Sequence, residues 1–388
     1  MTTAGQRKSG ALDALIERYD GEVIDVPGGD ARVRLVERGG REWDARLSGS
    51  GARLEPAKGQ ADAVLSASPA TWRAIAEDVR GGMTAFRAGR LQVRGSLHLG
   101  VGFLAATSAI EGPGRLRFES IPTSAGRIST LAAGEGEPLV CIHGLGGTKA
   151  SFLPTVAALA ESRRVIAMDL PGFGESHKPV GAPYDAAFFA RSVFALLDSL
   201  GLDHADLAGN SMGGRVAIEC GLTDHARARR LVLLSPSLAW LRDRPWAPFL
   251  KLVRPELGLL QPAPRRVVDS IVRRVVPGAR DGWSAAGVDD FLRVYLTPRG
   301  RAAFYAAARN IYLERPDGDD GFWPRLRGLS ADSLFVWGRN DRLVPISFMR
   351  HVEEALPRAR HVELDCGHVP QLERPDETHA AMRDFLGV

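Results

Sequence analysis

The sequence predicts an α/β fold, with a mostly parallel sheet covered by helices on both sides, a helical cap inserted late, and a small α+β domain in front. Three observations predict it. Beyond residue 115, continuous apolar runs alternate with helical patterns, as strands buried on both faces do in parallel sheets. After Ser235 the alternation stops for about a hundred residues that hold no good strand, too long a stretch for a structureless loop. Before residue 110 the runs are shorter and alternate apolar with polar, and helices follow them.

A chain of 388 residues suggests more than one domain. With 45% hydrophobic and 25% charged residues, its composition is that of an ordinary globular protein. A net charge of +4 is mild for this length and gives no argument for nucleic acid. Cys141, Cys220 and Cys366 are far apart, odd in number and set in apolar stretches, which reads as buried free thiols in a reducing compartment. No metal-ligand spacing is present, and no cofactor is expected. Met1 to Gly10 is polar, with no signal core behind it, and no run approaches the roughly 18 apolar residues of a membrane span. The expectation is a cytoplasmic protein, with peripheral membrane contact left open.

Leu12 to Tyr19 has helical spacing. Ala31 to Val36 and Trp43 to Leu47 are strand candidates joined at Gly39-Gly40, a hairpin signal. Ala61 to Ser66 is a third strand. Ser68-Pro69 opens a helix with Ser as N-cap, carrying Trp72, Ile75, Ala76 and Val79 on one face and ending at Gly81-Gly82. A short helix from Met83 to Ala88, the strand Leu91 to Gly95 and an apolar helix from Leu97 to Ala109 complete the pattern. From Ala85 to Leu97 the chain resembles the ending of the sterol carrier protein type 2 domain, and the resemblance covers roughly residues 10 to 110. It implies a hydrophobic tunnel for fatty acyl chains, sterols or other lipids, and it supplies no catalytic residues. A filled core would give the same pattern.

Residues 1–110 are therefore read as one domain and Glu111-Gly112-Pro113-Gly114 as the linker. From 115 to 388 the strand candidates are Arg115 to Ile121, Gly126 to Ala133, Pro138 to His143, Arg164 to Leu170, Asp206 to Gly209, Arg230 to Ser235, Ser333 to Trp337 and Arg360 to Leu364. Helices fit between them at Ala150 to Ala160, Asp185 to Leu200, Met212 to Gly221, Ser347 to Leu356 and Asp376 to Leu386. The insertion, about 237–325, is read as a helical cap over the catalytic face. Within it Val267, Val268, Ile271, Val272, Val275 and Val276 share a helix face opposite Arg266, Arg273 and Arg274. From Leu241 to Arg280 there are nine Lys or Arg against three acids, which reads as a solvated face before it reads as a lipid-contacting one.

The chemistry centres on Gly209-Asn210-Ser211-Met212-Gly213. An apolar run precedes this stretch and a helical pattern follows it, the setting of a nucleophile elbow. A serine hydroxyl is a poor nucleophile until a base takes its proton and a carboxylate orients that base. Asp341, in a loop after one strand, and His368, after the next, are the candidates. Asp365 and Glu373 compete less well because they neighbour the His in sequence. The oxyanion donors are expected at the backbone N–H groups of Leu145 and Met212. His143, Gly144, Gly146 and Asn210 are placed beside the substrate, His143 chiefly as a brace for its loop. Asp169 to Ser176 shapes the pocket floor.

Taken in order, H-G-x-G-G, D-x-P-G-F-G-x-S, G-N-S-M-G-G, W-G-x-x-D-x-x-V-P and G-H-x-P-x-x-E-x-P resemble the α/β-hydrolase superfamily across residues 115–388. The resemblance implies a Ser-His-Asp hydrolase. The lipid-carrier-like domain and the apolar cap point to esters or thioesters with lipophilic acyl groups, an esterase or lipase type of activity. The second reading is a carbon–carbon hydrolase of the meta-cleavage type. The chain departs from that family at Leu145-Gly146-Gly147 and at Val369, after the His. A third is a lipid-binding protein whose hydrolase portion is only a platform. The expected partner is a small lipophilic ester or lipid, and no nucleic acid.

Overall fold

In the computed structural model, residues 10–78, 81–239, 251–252, 254–260, 264–275 and 282–388 are described. The chain forms two compact units. The first comprises Met1–Glu119 together with Asp269–Arg293, and the second Ser120–Val268 with Val294–Val388. The sequence reading drew one boundary at 111–114 and gave the whole insertion to the later domain. The structure instead clusters Asp269–Arg293 with the N-terminal residues.

The first unit is built on a five-stranded sheet ordered β3-β2-β1-β4-β5. Its strands are β1 (Ala31–Glu37), β2 (Glu42–Ser48), β3 (Gly51–Pro56), β4 (Ala63–Ala67) and β5 (Leu91–Gly95). β1 and β2 are antiparallel across the Gly39-Gly40 turn, β1 and β4 are parallel, and β4 and β5 are antiparallel. β3 was absent from the sequence reading. It is an edge strand pairing only with β2, with no fully buried residue, so it lacks an apolar face. Ser68 caps the helix Pro69–Glu77, its hydroxyl accepting from the Thr71 N–H, and Trp72 and Ile75 are buried. The helix ends at Glu77, before Gly81-Gly82, and Val79 lies outside the described residues.

The helix Leu97–Ala106 is buried at every residue. A stripe of small residues allows this. A Cβ on Gly100 would stand 2.6 Å from Val93 Cγ1, and one on Gly102 would overlap Ile24 Cδ1. This helix lies flush on its neighbours. Helix Gly282–Tyr295 supplies Asp289 and Asp290 to the same unit. Asp289 pairs with Arg94 at 2.5 and 3.1 Å, and Asp290 accepts the Leu97 N–H at 3.2 Å, beside the open N-terminus of Leu97–Ala106.

The second unit carries an eight-stranded sheet ordered β13-β12-β11-β10-β8-β9-β7-β6. The strands are β6 (Arg117–Thr123), β7 (Gly126–Ala133), β8 (Pro138–Ile142), β9 (Arg164–Met168), β10 (Ala205–Asn210), β11 (Ala228–Leu234), β12 (Asp332–Gly338) and β13 (Arg360–Leu364). β7 is antiparallel to β9, and from β9 to β13 the pairing is parallel. β8 and β10 are buried along their whole length, as expected where helices cover both faces. The parallel order sends the C-terminal ends of β8, β10, β12 and β13 to one edge of the sheet, where such folds place their ligands.

The insertion is helical where it is described, at Pro255–Leu260, Arg265–Val275, Gly282–Tyr295, Pro298–Tyr312 and Phe322–Leu326. Of the valines read as one apolar face, Val267 is 55% exposed, whereas Val276 lies outside the described residues, as do 241–250 and 276–280 of the basic stretch. Among the described residues no helix is long and apolar enough to cross a membrane.

Candidate active site

β10 ends at Asn210 and the helix Met212–Thr223 begins two residues later, so Ser211 alone must turn the chain. It does so at φ 54°, ψ −116°, a strained conformation for a residue with a side chain. The glycines around it are steric necessities. A Cβ on Gly209 would overlap the Gly213 carbonyl, one on Gly213 would overlap the Ile142 carbonyl, and one on Gly214 would stand 2.7 Å from Pro236 Cβ. Backbone bonds lock the turn: Ser211 N–H donates to Leu234 O at 2.9 Å, and Ser237 N–H donates to Ser211 O at 2.9 Å.

Asp341 follows β12 and His368 follows β13. His368 Nδ1 lies 2.7 Å from Asp341 Oδ2. Asp341 Oδ1 accepts the N–H groups of Leu343 and Val344, at 2.8 and 2.9 Å. That leaves the carboxylate one direction for the imidazole, sets the Nδ1–H tautomer, and makes Nε2 the basic nitrogen. The two competing acids are occupied elsewhere. Glu373 accepts the N–H groups of Gly367 and Val369, and Asp365 accepts the Asn340 amide at 2.7 Å. Both hold the loop that carries the His.

The loop after β8 runs past the nucleophile, since a Cβ on Gly144 would stand 3.2 Å from Ser211 Cβ. Met212 is the first residue of its helix, so its N–H has no intrahelical acceptor. Leu145 follows Gly144 in that loop, and Met212 follows Ser211 in the turn. His143 and Asn210 both bond to the backbone around the site. His143 is fully buried; its Nε2 accepts the Leu170 N–H at 3.0 Å and its Nδ1 lies 2.7 Å from Gly144 O, so the backbone uses both nitrogens. Asn210 Nδ2 donates to Leu234 O and His368 O, both at 3.0 Å, which ties β10 to the His loop. Gly144 and Gly146 stay in the loop beside the nucleophile, Gly146 at φ 76°.

Asp169 anchors the floor. It is fully buried, and its oxygens accept from Lys149 Nζ at 2.6 Å, the Lys149 N–H at 2.7 Å and the Glu175 N–H at 2.9 Å. Burial opposes its charge, but Lys149 outweighs burial and holds the carboxyl well below the usual carboxylate range. This pair joins the 143–150 and 169–176 loops under the site.

Three participants escaped the sequence reading. Ser237, after β11, is buried, and its hydroxyl lies 3.3 Å from Ser211 Oγ. Tyr312, the last residue of the helix Pro298–Tyr312, accepts from Ser237 Oγ at 3.4 Å. Arg215, on the elbow helix, pairs with Glu219 at 2.7 Å and with Glu314 at 2.5 and 2.7 Å, fixing the chain just beyond Tyr312. A serine or tyrosine inside an insertion carries no local signal. Only the fold brings these residues to the elbow. Among the described residues no cluster of three or more His, Cys, Asp or Glu could hold a metal.

The sequence profile of the Alpha/beta hydrolase family matches residues 139–381, more than half of the chain. The chain belongs to the alpha/beta hydrolase family. The profile of the SCP-2 sterol transfer family matches residues 6–105, ahead of the hydrolase region. A 2-hydroxymuconate semialdehyde hydrolase from a Pseudomonas species is 29% identical over 266 residues, 66% of this chain and 88% of that protein. A 2-hydroxy-6-oxononadienedioate/2-hydroxy-6-oxononatrienedioate hydrolase from Paraburkholderia phymatum is 30% identical over 301 residues, 73% of this chain and 96% of that protein. Among solved structures, a membrane phospholipase A described as a bacterial virulence factor superposes with a TM-score of 0.57 at 25% identity, covering 70% of this chain and 86% of that one. As an alpha/beta hydrolase with an SCP-2-type domain in front, the protein is a hydrolytic enzyme.

Proposed function

We propose that this alpha/beta hydrolase cleaves a carbon–carbon bond beside a ketone, in a 2-hydroxy-6-oxo-dienoate type of substrate, with Ser211, His368 and Asp341 as the triad. The observation that carries this reading is the likeness to hydrolases of that substrate type along 88% and 96% of their lengths. It reverses the ranking drawn from the sequence, where esters came first.

The triad's parts have a role in each step. The substrate enters the cleaving step as its 2,6-dioxo tautomer. His368 Nε2 takes the Ser211 proton as Oγ adds to the C6 ketone. The oxygen that becomes negative is received by the Leu145 and Met212 N–H groups. The tetrahedral centre collapses, the C5–C6 electron pair leaves with C5, and His368 returns the proton to that carbon. Water, deprotonated by His368, then hydrolyses the acyl-Ser211 and frees a carboxylic acid. Asp341 keeps its proton count throughout and stabilises the imidazolium.

A specific observation favours a second reading, hydrolysis of an ester or thioester with a lipophilic acyl group. The chain carries an SCP-2-type domain, and a phospholipase A shares its hydrolase fold at 25% identity. The steps are the same with oxygen or sulfur as the leaving atom. One assay separates the two. Purified protein is offered 2-hydroxy-6-oxo-6-phenylhexa-2,4-dienoate, followed by loss of its dienolate absorbance, and p-nitrophenyl esters of two to sixteen carbons. Turnover of the dienoate by wild type, lost by about a thousandfold or more in Ser211→Ala, is expected. Ester turnover without dienoate turnover would overturn the first reading and establish the second.

A further inference from the structure

Three hydroxyls meet at the nucleophile, and only one of them belongs to the triad. Ser237 Oγ is 3.3 Å from Ser211 Oγ and donates to the Tyr312 hydroxyl at 3.4 Å. A hydroxyl has one proton to give. Ser237 gives its own to Tyr312, so in its contact with Ser211 it must accept. Ser211 then donates to Ser237 and Ser237 to Tyr312, and the Ser211 proton points at Ser237. Among the described residues the Ser211 hydroxyl is hydrogen-bonded to Ser237 and not to His368.

We propose that Ser237, backed by Tyr312, is a positioning residue that holds the Ser211 hydroxyl in competition with His368. This rests on Ser211 being the nucleophile and is independent of which bond the enzyme cleaves. All three residues are buried and braced. Ser211, Ser237 and Tyr312 are 4%, 2% and 7% exposed. The Ser237 N–H is fixed on the Ser211 carbonyl, and Glu314, two residues beyond Tyr312, is held by Arg215. Burial pushes the Tyr312 phenol up from its ordinary value.

The physical consequence is a competition for one proton. Before attack, Ser211 must leave Ser237 and turn to His368. That exchange costs the hydrogen bond and leaves Ser237 with an unfilled acceptor position in a buried place. A substrate with a hydrogen-bond donor near the scissile carbonyl fills that position when Ser211 turns away. A bare alkyl chain does not. The Ser237 contact therefore slows reaction with apolar electrophiles most.

The experiment is the rate at which an alkyl fluorophosphonate labels Ser211 in the full-length protein, with the site of labelling confirmed by mass spectrometry. Ser237→Ala removes the competing acceptor and is expected to label about three- to tenfold faster than wild type, the range of one ordinary neutral hydrogen bond. Ser237→Thr keeps a hydroxyl and is expected to label at the wild-type rate. Damage to the fold would slow both variants together, so faster labelling by Ala alone cannot come from a structural role. The pH profile of labelling should rise in height for Ser237→Ala without moving along the pH axis, since His368 and Asp341 are untouched. Labelling of Ser237→Ala at or below the wild-type rate, with wild type labelled on Ser211, would overturn the inference and leave the nucleophile standing. Wild type that takes up no label would remove both.

Discussion

Glycines do different work in the elbow and in the helix Leu97–Ala106. At Gly209 and Gly213 an added methyl would strike backbone carbonyls. At Gly100 and Gly102 it would strike the ends of Val93, Leu65 and Ile24 side chains. Backbone cannot yield without moving a strand, whereas a side-chain end can change rotamer. The elbow is therefore fixed by the residues of the turn itself. The helix is fixed by what packs against it.

Four substitutions break or sharpen that contrast. The largest effect is expected from Gly213→Ala. Its methyl displaces either the β8 carbonyl or the turn, and a shift of about 1 Å at a reacting group costs on the order of a hundredfold in rate. Its kcat should fall by that order, measured on whichever substrate the assay above identifies, with the fluorophosphonate rate falling in parallel. Lys149→Met comes next. It strips a buried carboxylate of its partner, and breaking such a pair costs about 3–5 kcal/mol, read by urea denaturation.

This second variant also has a pH signature. Asp169 is held below its usual range in the folded protein, so its contribution to stability is present above the unfolded carboxylate value and is lost as pH falls through the lowered one. Wild type should lose stability through that acid window. Lys149→Met should start lower at neutral pH and lose less there, because the group that depressed Asp169 is gone.

Gly102→Ala should cost about 1–3 kcal/mol, as overpacking against a movable side chain does, and should leave fluorophosphonate labelling of Ser211 unchanged. A loss as steep as that of Gly213→Ala would show that the helix, too, is pinned by unyielding neighbours. The smallest effect is expected from Gly287→Ala, with the opposite sign. Gly287 is an exposed helix residue with nothing within 4 Å of an added Cβ, so alanine should stabilise by about 0.4–1 kcal/mol in thermal unfolding.

The same contrast explains what was legible in the sequence. Gly209, Ser211 and Gly213 announce themselves because the conformation they need is local, and only glycine can flank it. Asp341 and His368 were legible because each lies in the loop after a late strand, and parallel topology sends both strand ends to one edge. Ser237 and Tyr312 are 75 residues apart, and neither sits in a motif; their meeting is a product of tertiary packing. The ester reading leaned on the N-terminal domain and on cap composition, neither of which describes the pocket beside Ser211. For Asn210, motif position did not say whether the side chain faces a ligand or backbone; its Nδ2 donates to two backbone carbonyls. β3 was missed because an edge strand can be stable with no apolar alternation, and the Arg94–Asp289 pair left no local signal because it joins residues 195 apart.

That last pair bears on how the protein is made. Residues 1–119 leave the ribosome first, yet the unit they form is completed by Asp269–Arg293, which emerge much later. Until then Arg94 has no Asp289, and the amide of Leu97 has no Asp290. The N-terminal residues thus cannot finish folding until Ser120–Val268 of the other unit have also been made. A fragment cut at 111–114 would reproduce that waiting state permanently: it would leave two acidic residues, 8% and 3% exposed at their side chains, on the wrong piece of chain. Dissection of this protein into its two families' worth of sequence is best done with Asp269–Arg293 retained, or with Asp289 and Asp290 replaced by neutral residues.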